Sequence, residues 1–283
     1  MSDAPALAVT GSTGRLGGRV AARLADRGVA QRLVCRDPSR APRLEGASAV
    51  AASYGDGEAV RAALTGVDVL LLVSASESPD RVQQHLTAVD AAADAGVRHV
   101  VYTSFVGAAP DATFTLARDH FATEQALREA ADRTGLTWTF LRDNLYADFL
   151  PMMAGDDGVL RGPAGAGRAA LVATDDVADA AVAVLVDPAA HAGRTYDLTG
   201  PQALSFAEMA QALTAAGRPT TYVDETLEQA YASRAVYGAP DWQVDAWVST
   251  YTAVAAGELE RVSPDVEHLT GRPATSLEQL LRS

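Results

Sequence analysis

Along the first half of the chain, short unbroken apolar runs alternate with stretches whose apolar positions recur every three to four residues. Residues 6–10, 32–35, 47–52, 67–74, 98–103 and 137–141 read as strands. The run at 67–74 is apolar without alternation, as in a strand buried on both faces. Between them, Leu16, Val20 and Leu24 fall at helical spacing within 16–27, and further helices are predicted over 57–65, 82–95 and 116–134. Gly28, Gly66 and Gly96 directly follow three of these helices, where a left-handed residue ends the helix. This alternation predicts an α/β fold with a doubly wound parallel sheet over residues 1–150.

The pattern loosens after residue 150. Strands are predicted over 169–172, 195–198 and 220–223, and helices over 174–186, 205–216, 227–237 and 241–258. Ser205 and Glu208 form a Ser-x-x-Glu capping box for one of these helices. Residues 151–283 are expected to form a smaller, mostly helical part that completes a substrate pocket, with some of it returning to the main sheet.

Composition narrows the function classes. The net charge of −13 argues against nucleic acid as a partner, because phosphate neutralisation needs a basic face. All 23 basic residues are Arg, so no Lys can serve as a base, a Schiff base or a phosphate ligand. Cys35 is the sole cysteine, which excludes an internal disulfide and a Cys-cluster metal site. The five His residues lack metal-ligand spacing, and no metal is expected. The apolar runs are too short, or too broken by acids, to cross a bilayer. No membrane partner and a cytoplasmic location are expected.

The segment Gly11-Ser12-Thr13-Gly14-Arg15-Leu16-Gly17 follows a predicted strand and opens a helix. In that context its glycines allow a tight turn, backbone approach to a pyrophosphate and close helix–strand packing. The helix N-terminus adds N–H donors and a positive dipole. A Rossmann-type dinucleotide site follows. The second strand ends at Arg36, with Arg15 in the loop, where an NAD-specific site usually offers an acid. Two guanidinium groups suit a 2′-phosphate, so NADP(H) is expected in preference to NAD(H). Ser74, Ala75 and Ser76 at the fourth-strand exit and Thr103 on the fifth strand are expected to flank the cofactor.

Three further segments carry a resemblance: Ala95-Gly96-Val97-Arg98-His99-Val100-Val101-Tyr102-Thr103-Ser104, then Asp119-His120 with Thr123-Glu124, then Thr139-Phe140-Leu141-Arg142-Asp143-Asn144-Leu145-Tyr146. With the glycine loop, they resemble the NmrA-like, atypical short-chain dehydrogenase/reductase group, and within it the type 2 NAD(P)H:quinone oxidoreductases and triphenylmethane reductase. The resemblance implies catalytic roles for His120, Ser104 and Tyr146, and cofactor contacts from His120 and Asn144. The Tyr-x-x-x-Lys pair of ordinary short-chain dehydrogenases is absent: its places hold Leu116 and His120. Reduction of a conjugated acceptor needs no strong protein acid, because the product anion is delocalised, and the nicotinamide carries the chemistry. The expectation is an NADPH-dependent reductase passing hydride to a quinone, dye or other small conjugated molecule. Phe105, Asn144, Tyr146, Phe149 and Trp242 are the candidate substrate contacts. The alternative is an NADP-sensing regulatory protein of the NmrA type. A monomer or homodimer is expected in either case.

Overall fold

The computed structural model describes residues 6–282. In chain order the elements are β1 (Leu7–Thr10), α1 (Arg15–Asp26), β2 (Gln31–Cys35), β3 (Ala47–Ala51), α2 (Gly57–Leu64), β4 (Val69–Leu72), α3 (Arg81–Asp94), β5 (His99–Phe105), α4 (Thr115–Thr134) and β6 (Thr137–Asp143). They continue with α5 (Leu150–Met153), β7 (Val159–Gly162), β8 (Arg168–Ala169), α6 (Thr174–Val186), β9 (Arg194–Leu198), β10 (Leu204–Ser205), α7 (Phe206–Ala215) and β11 (Thr221–Asp224). Last come α8 (Leu227–Arg234), α9 (Asp241–Ala255), α10 (Asp265–Thr270) and α11 (Leu277–Leu280).

Seven strands form one sheet in the order β3-β2-β1-β4-β5-β6-β9. β1 pairs in parallel with both β2 and β4, and β4 with β5. The strand order reverses between β1 and β4, so their carboxyl ends flank the crevice in which such sheets bind ligands. All seven residues of β5 are buried, as a central parallel strand covered on both faces requires.

Internal contacts divide the chain into two units. One comprises residues 1–104, 119–142 and 177–196; the other comprises 105–118, 143–176 and 197–283. The first contains most of the large sheet and a core in which Leu64, Leu70, Tyr102, Leu127 and Phe140 are buried together. Residues 177–196 bring most of α6 and the start of β9 to it. The second is built around Phe206, whose ring stacks on Tyr251 at 4.9 Å, with β11 parallel to β7 and β10 antiparallel to β8.

The elements differ from the predicted ones chiefly at their ends. β4 is shorter than 67–74, and β6 runs on to Asp143 rather than ending at 141. The run at 169–172 is mostly extended chain without a ladder: β8 covers Arg168–Ala169, and Val172 makes one isolated bridge to Tyr146. The helix expected over 227–237 gives way at Ala235–Tyr237 to a 3₁₀ turn that stops at Gly238. β7 and β10 lack a sequence signal, because such short pairs are held by their neighbours rather than by an alternating pattern.

Candidate functional site

The glycine loop joins β1 to α1 at the sheet crevice. Gly11 has φ +60°, and a Cβ there would sit 3.2 Å from the Val73 side chain. A Cβ on Gly17 would lie 2.4 Å from Gly11 O and 2.8 Å from Thr10 O, so only glycine lets α1 approach β1 this closely. Gly14 is exposed and caps α1, and the first turn of that helix holds no acid that would repel an anion.

These residues line a cavity of about 380 Å³, with Gly11, Thr13, Gly14, Arg15, Leu16 and Gly17 on one side and Ser74, Ala75 and Ser76 on another. Arg36 lines it as well, exposed at the end of β2. Its neighbour Asp37 is engaged locally, since Oδ1 accepts from the Ser39 amide at 3.0 Å and from the Ser39 hydroxyl at 2.6 Å. Arg43 lines a separate hollow under the Pro38–Leu44 loop.

Tyr54, which the sequence reading did not single out, also lines the cavity. Its hydroxyl lies 2.5 Å from Thr10 Oγ1 and 2.6 Å from Val73 O, joining the chain after β3 to the ends of β1 and β4. Burial pushes its phenol pKa up, so it remains a neutral brace. Thr103 acts through Ser74: its Oγ1 accepts from the Ser74 amide at 2.8 Å. The Ser12 hydroxyl is buried without a hydrogen-bond partner among the described residues. A glycine loop opening a helix and two guanidinium groups lining the same cavity fit the diphosphate and 2′-phosphate of a dinucleotide, while the buried Ser12 lies outside that lining.

Behind the loop after β4 lies a buried polar cluster. The Ala75 peptide is held from both sides by α3. Its N–H donates to His85 Nε2 at 2.8 Å, and its carbonyl accepts from Arg81 Nε at 2.9 Å. Arg81 is 4% exposed and also reaches Asp119 at 3.1 Å and His120 Nε2 at 2.9 Å. A guanidinium only donates, so His120 Nε2 accepts, and Nδ1 carries the proton toward Tyr102 Oη, 2.9 Å away. Burial first, then the charge on Arg81, holds the His120 pKa well below its ordinary value. An Arg at the start of a helix opposes the dipole; that anomaly, together with the Asp119-His120 pair, was the available signal for this cluster.

Ser104 and Glu124 form a second centre. Ser104 Oγ donates to Glu124 Oε1 at 2.7 Å. Arg142 grips the same carboxylate in a fork, at 2.8 Å to Oε1 and 2.7 Å to Oε2. Glu124 is fully buried, so this bidentate pair supplies the compensation that a desolvated charge needs. The Thr-Glu and Leu-Arg segments noted in the sequence are thus the two halves of one ion pair.

The remaining candidates belong to the second unit. Asn144 is buried, its Nδ2 donating to Leu259 O at 3.0 Å and its Oδ1 accepting from the Leu145 amide at 2.8 Å. Both amide groups therefore serve the local backbone. Phe105 is packed edge-on against Phe114 at 4.9 Å, within the core of the unit. Tyr146 and Phe149 are half-buried and meet edge-on at 5.7 Å. Trp242 is half-buried near the start of α9.

Residues 11–188 match the model of a family described as NAD(P)H-binding. The chain belongs to that family. Its kinship is with oxidoreductases. It is 34% identical to the NAD(P)H azoreductase of Xenophilus azovorans over 281 residues, covering 97% of this chain and 96% of the relative. The fold superposes on an NADPH-dependent quinone oxidoreductase of Escherichia coli complexed with NADPH, with a TM-score of 0.88, 31% identity and 98% of both chains covered. Citrobacter sp. triphenylmethane reductase gives a TM-score of 0.85 at 30% identity, again over 98% of both chains. NmrA, a negative transcriptional regulator crystallised with NADP, shares the fold alone, with a TM-score of 0.76 at 17% identity over 99% of this chain and 95% of that one.

Proposed function

We propose that this protein is an NADPH-dependent reductase of small conjugated acceptors such as quinones and azo or triphenylmethane dyes. The observation that carries the reading is the cavity lined by the glycine loop, by Arg15 within it and by Arg36 after β2. The backbone of residues 11–17 and the α1 N-terminus would hold the pyrophosphate. Arg36 would hold the 2′-phosphate, and Ser74, Ala75 and Ser76 the nicotinamide half. The bound cofactor supplies the hydride.

The residues around the missing Tyr-x-x-x-Lys pair support an acceptor that tolerates a weak acid. Leu116 offers no proton, and a His120 ring kept neutral serves as a hydrogen-bonding and positioning group rather than as an imidazolium. In this reading Ser104 braces Glu124.

The test is NADPH oxidation by the purified protein against a panel of quinones, azo dyes and triphenylmethane dyes. Turnover with at least one class, faster with NADPH than with NADH, is the expected result. Tight NADPH binding without turnover of any acceptor would overturn the reductase reading. It would favour the sensing role, for which the vacated Tyr-x-x-x-Lys places are the supporting observation.

A further inference from the structure

Asp119, His120 and Thr123 stand out in the sequence, yet none of them lines the cofactor cavity. They hold one of its walls from behind. Ser74, Ala75 and Ser76 form that wall, in chain that follows β4 and belongs to no strand. Two arms run from Ala75 through α3 to a single stretch of α4. In the first, the Ala75 amide donates to His85 Nε2 at 2.8 Å, so the His85 proton sits on Nδ1 and points to Thr123 Oγ1, 2.8 Å away. Thr123 in turn donates to Asp119 O at 2.8 Å. In the second, the Ala75 carbonyl accepts from Arg81 Nε at 2.9 Å. The other two guanidinium nitrogens reach Asp119 Oδ2 at 3.1 Å and His120 Nε2 at 2.9 Å. The amide and the carbonyl of Ala75 belong to successive peptide planes. Holding both fixes φ and ψ of this residue, and with them the course of the chain from Ser74 to Ser76. The Ser74 amide is pinned separately, by Thr103 Oγ1 at 2.8 Å.

We infer that Arg81 is a positioning residue for hydride transfer: it ties the wall at 74–76 to α4 and so sets where the nicotinamide half of the cofactor rests. The inference rests on the reductase reading, which puts that half of the cofactor against the wall. Arg81 is 4% exposed and does not line the cavity, so it acts through Ala75. A guanidinium suits the task because its donors lie in one plane and point in several directions, whereas a Lys ammonium is a single point on a flexible stem. Asp119 supplies the counter-charge that a buried cation needs. His120 is part of the same bracket, with Nε2 occupied by Arg81 and Nδ1 directed to Tyr102. A wall ordered beforehand costs nothing to order when the cofactor binds. A misplacement of about 1 Å at the reacting ring costs about a hundredfold in rate.

The test compares Arg81→Lys, which keeps the buried charge but not the fork, with Arg81→Ala. Adenosine 2′,5′-bisphosphate, which carries only the adenosine half of NADPH, should bind both variants as it binds the wild type. NADPH should bind them several-fold more weakly, and kcat with NADPH and 1,4-naphthoquinone should fall by roughly tenfold or more. In Arg81→Ala, guanidinium chloride far below denaturing concentration should restore part of both losses, where sodium chloride at the same concentration does not. Nitrogen NMR of the free protein gives a reading without cofactor. His120 should carry its proton on Nδ1 in the wild type and become a mixture of tautomers in Arg81→Ala. An Arg81→Lys protein with wild-type NADPH affinity and kcat overturns the proposal. So does a loss of bisphosphate affinity equal to the loss for NADPH, because the damage would then lie in the whole fold rather than in the wall. If the wild type binds NADPH and reduces no acceptor, the reductase reading falls, and the comparison of NADPH with the bisphosphate still decides whether Arg81 positions the wall.

Discussion

At the scale of single residues, two side chains in unlike settings make opposite predictions. Arg36 is exposed and lines the cavity at the glycine loop, and its neighbour Asp37 is turned to Ser39. Arg36→Ala should therefore cost about 1–3 kcal/mol of NADPH affinity, the range for hydrogen bonds to charged groups, and leave NADH almost untouched. Calorimetric titration of both cofactors checks this, and equal losses would remove Arg36 from the 2′-phosphate. Asp143 is buried, and its folded pKa of about 8 stands far above the roughly 3.9 of an unfolded Asp. The folded state keeps a proton that the unfolded state has lost, so its contribution to stability is complete below about pH 4 and drains away as pH rises through 8. Asp143→Asn removes that dependence. Its Tm should gain on the wild type as pH climbs from about 5 to about 8, which thermal unfolding at each pH would measure. A gap that stays constant with pH would show that Asp143 is not protonated in the fold.

At the scale of elements, the site is made by two helix starts. α1 meets β1 through Gly17, where the nearest backbone oxygen leaves no room for a Cβ. Gly17→Ala should behave as overpacking, at about 1–3 kcal/mol of stability, and should weaken NADPH and NADH alike. α3 holds the Ala75 peptide through Arg81 and His85. His85→Ala frees the Ala75 amide, and the expected result is a several-fold rise in Kd for both cofactors with their ratio unchanged. Measuring that ratio separates loop positioning from phosphate recognition, since only Arg36→Ala should shift it. A His85→Ala protein with wild-type affinity for both would mean that the loop after β4 is held by other means.

At the scale of the whole molecule, the buried histidines set the acid limit. Burial lowers His85 to about 3 and His99 to about 4, and pushes His120 well down too. The unfolded chain takes up these protons below about pH 6.5 while the folded chain refuses them, so stability present above that pH is lost as pH falls toward the folded values. The Tm should decline from about pH 6.5 to about pH 4, and replacing His99 by Gln should flatten part of that slope. An acid-insensitive Tm would show that these rings charge within the fold. The sequence alone sufficed for the parts in which local chemistry is the cause. Apolar runs buried on both faces specify the strands, and Gly11, Gly14 and Gly17 specify the tight turn by which β1 passes into α1. Other features became legible only with the fold. Glu124 and Arg142 are ordinary charges in the chain and become a buried fork because α4 is brought to β6. His120 has two equivalent tautomers in the chain, and Arg81, from a different helix, selects one. Asn144 is one polar residue in the chain, and the fold brings its amide to Leu259 O. In each case the deciding quantity is desolvation together with a partner distant in sequence, and one-dimensional spacing contains neither.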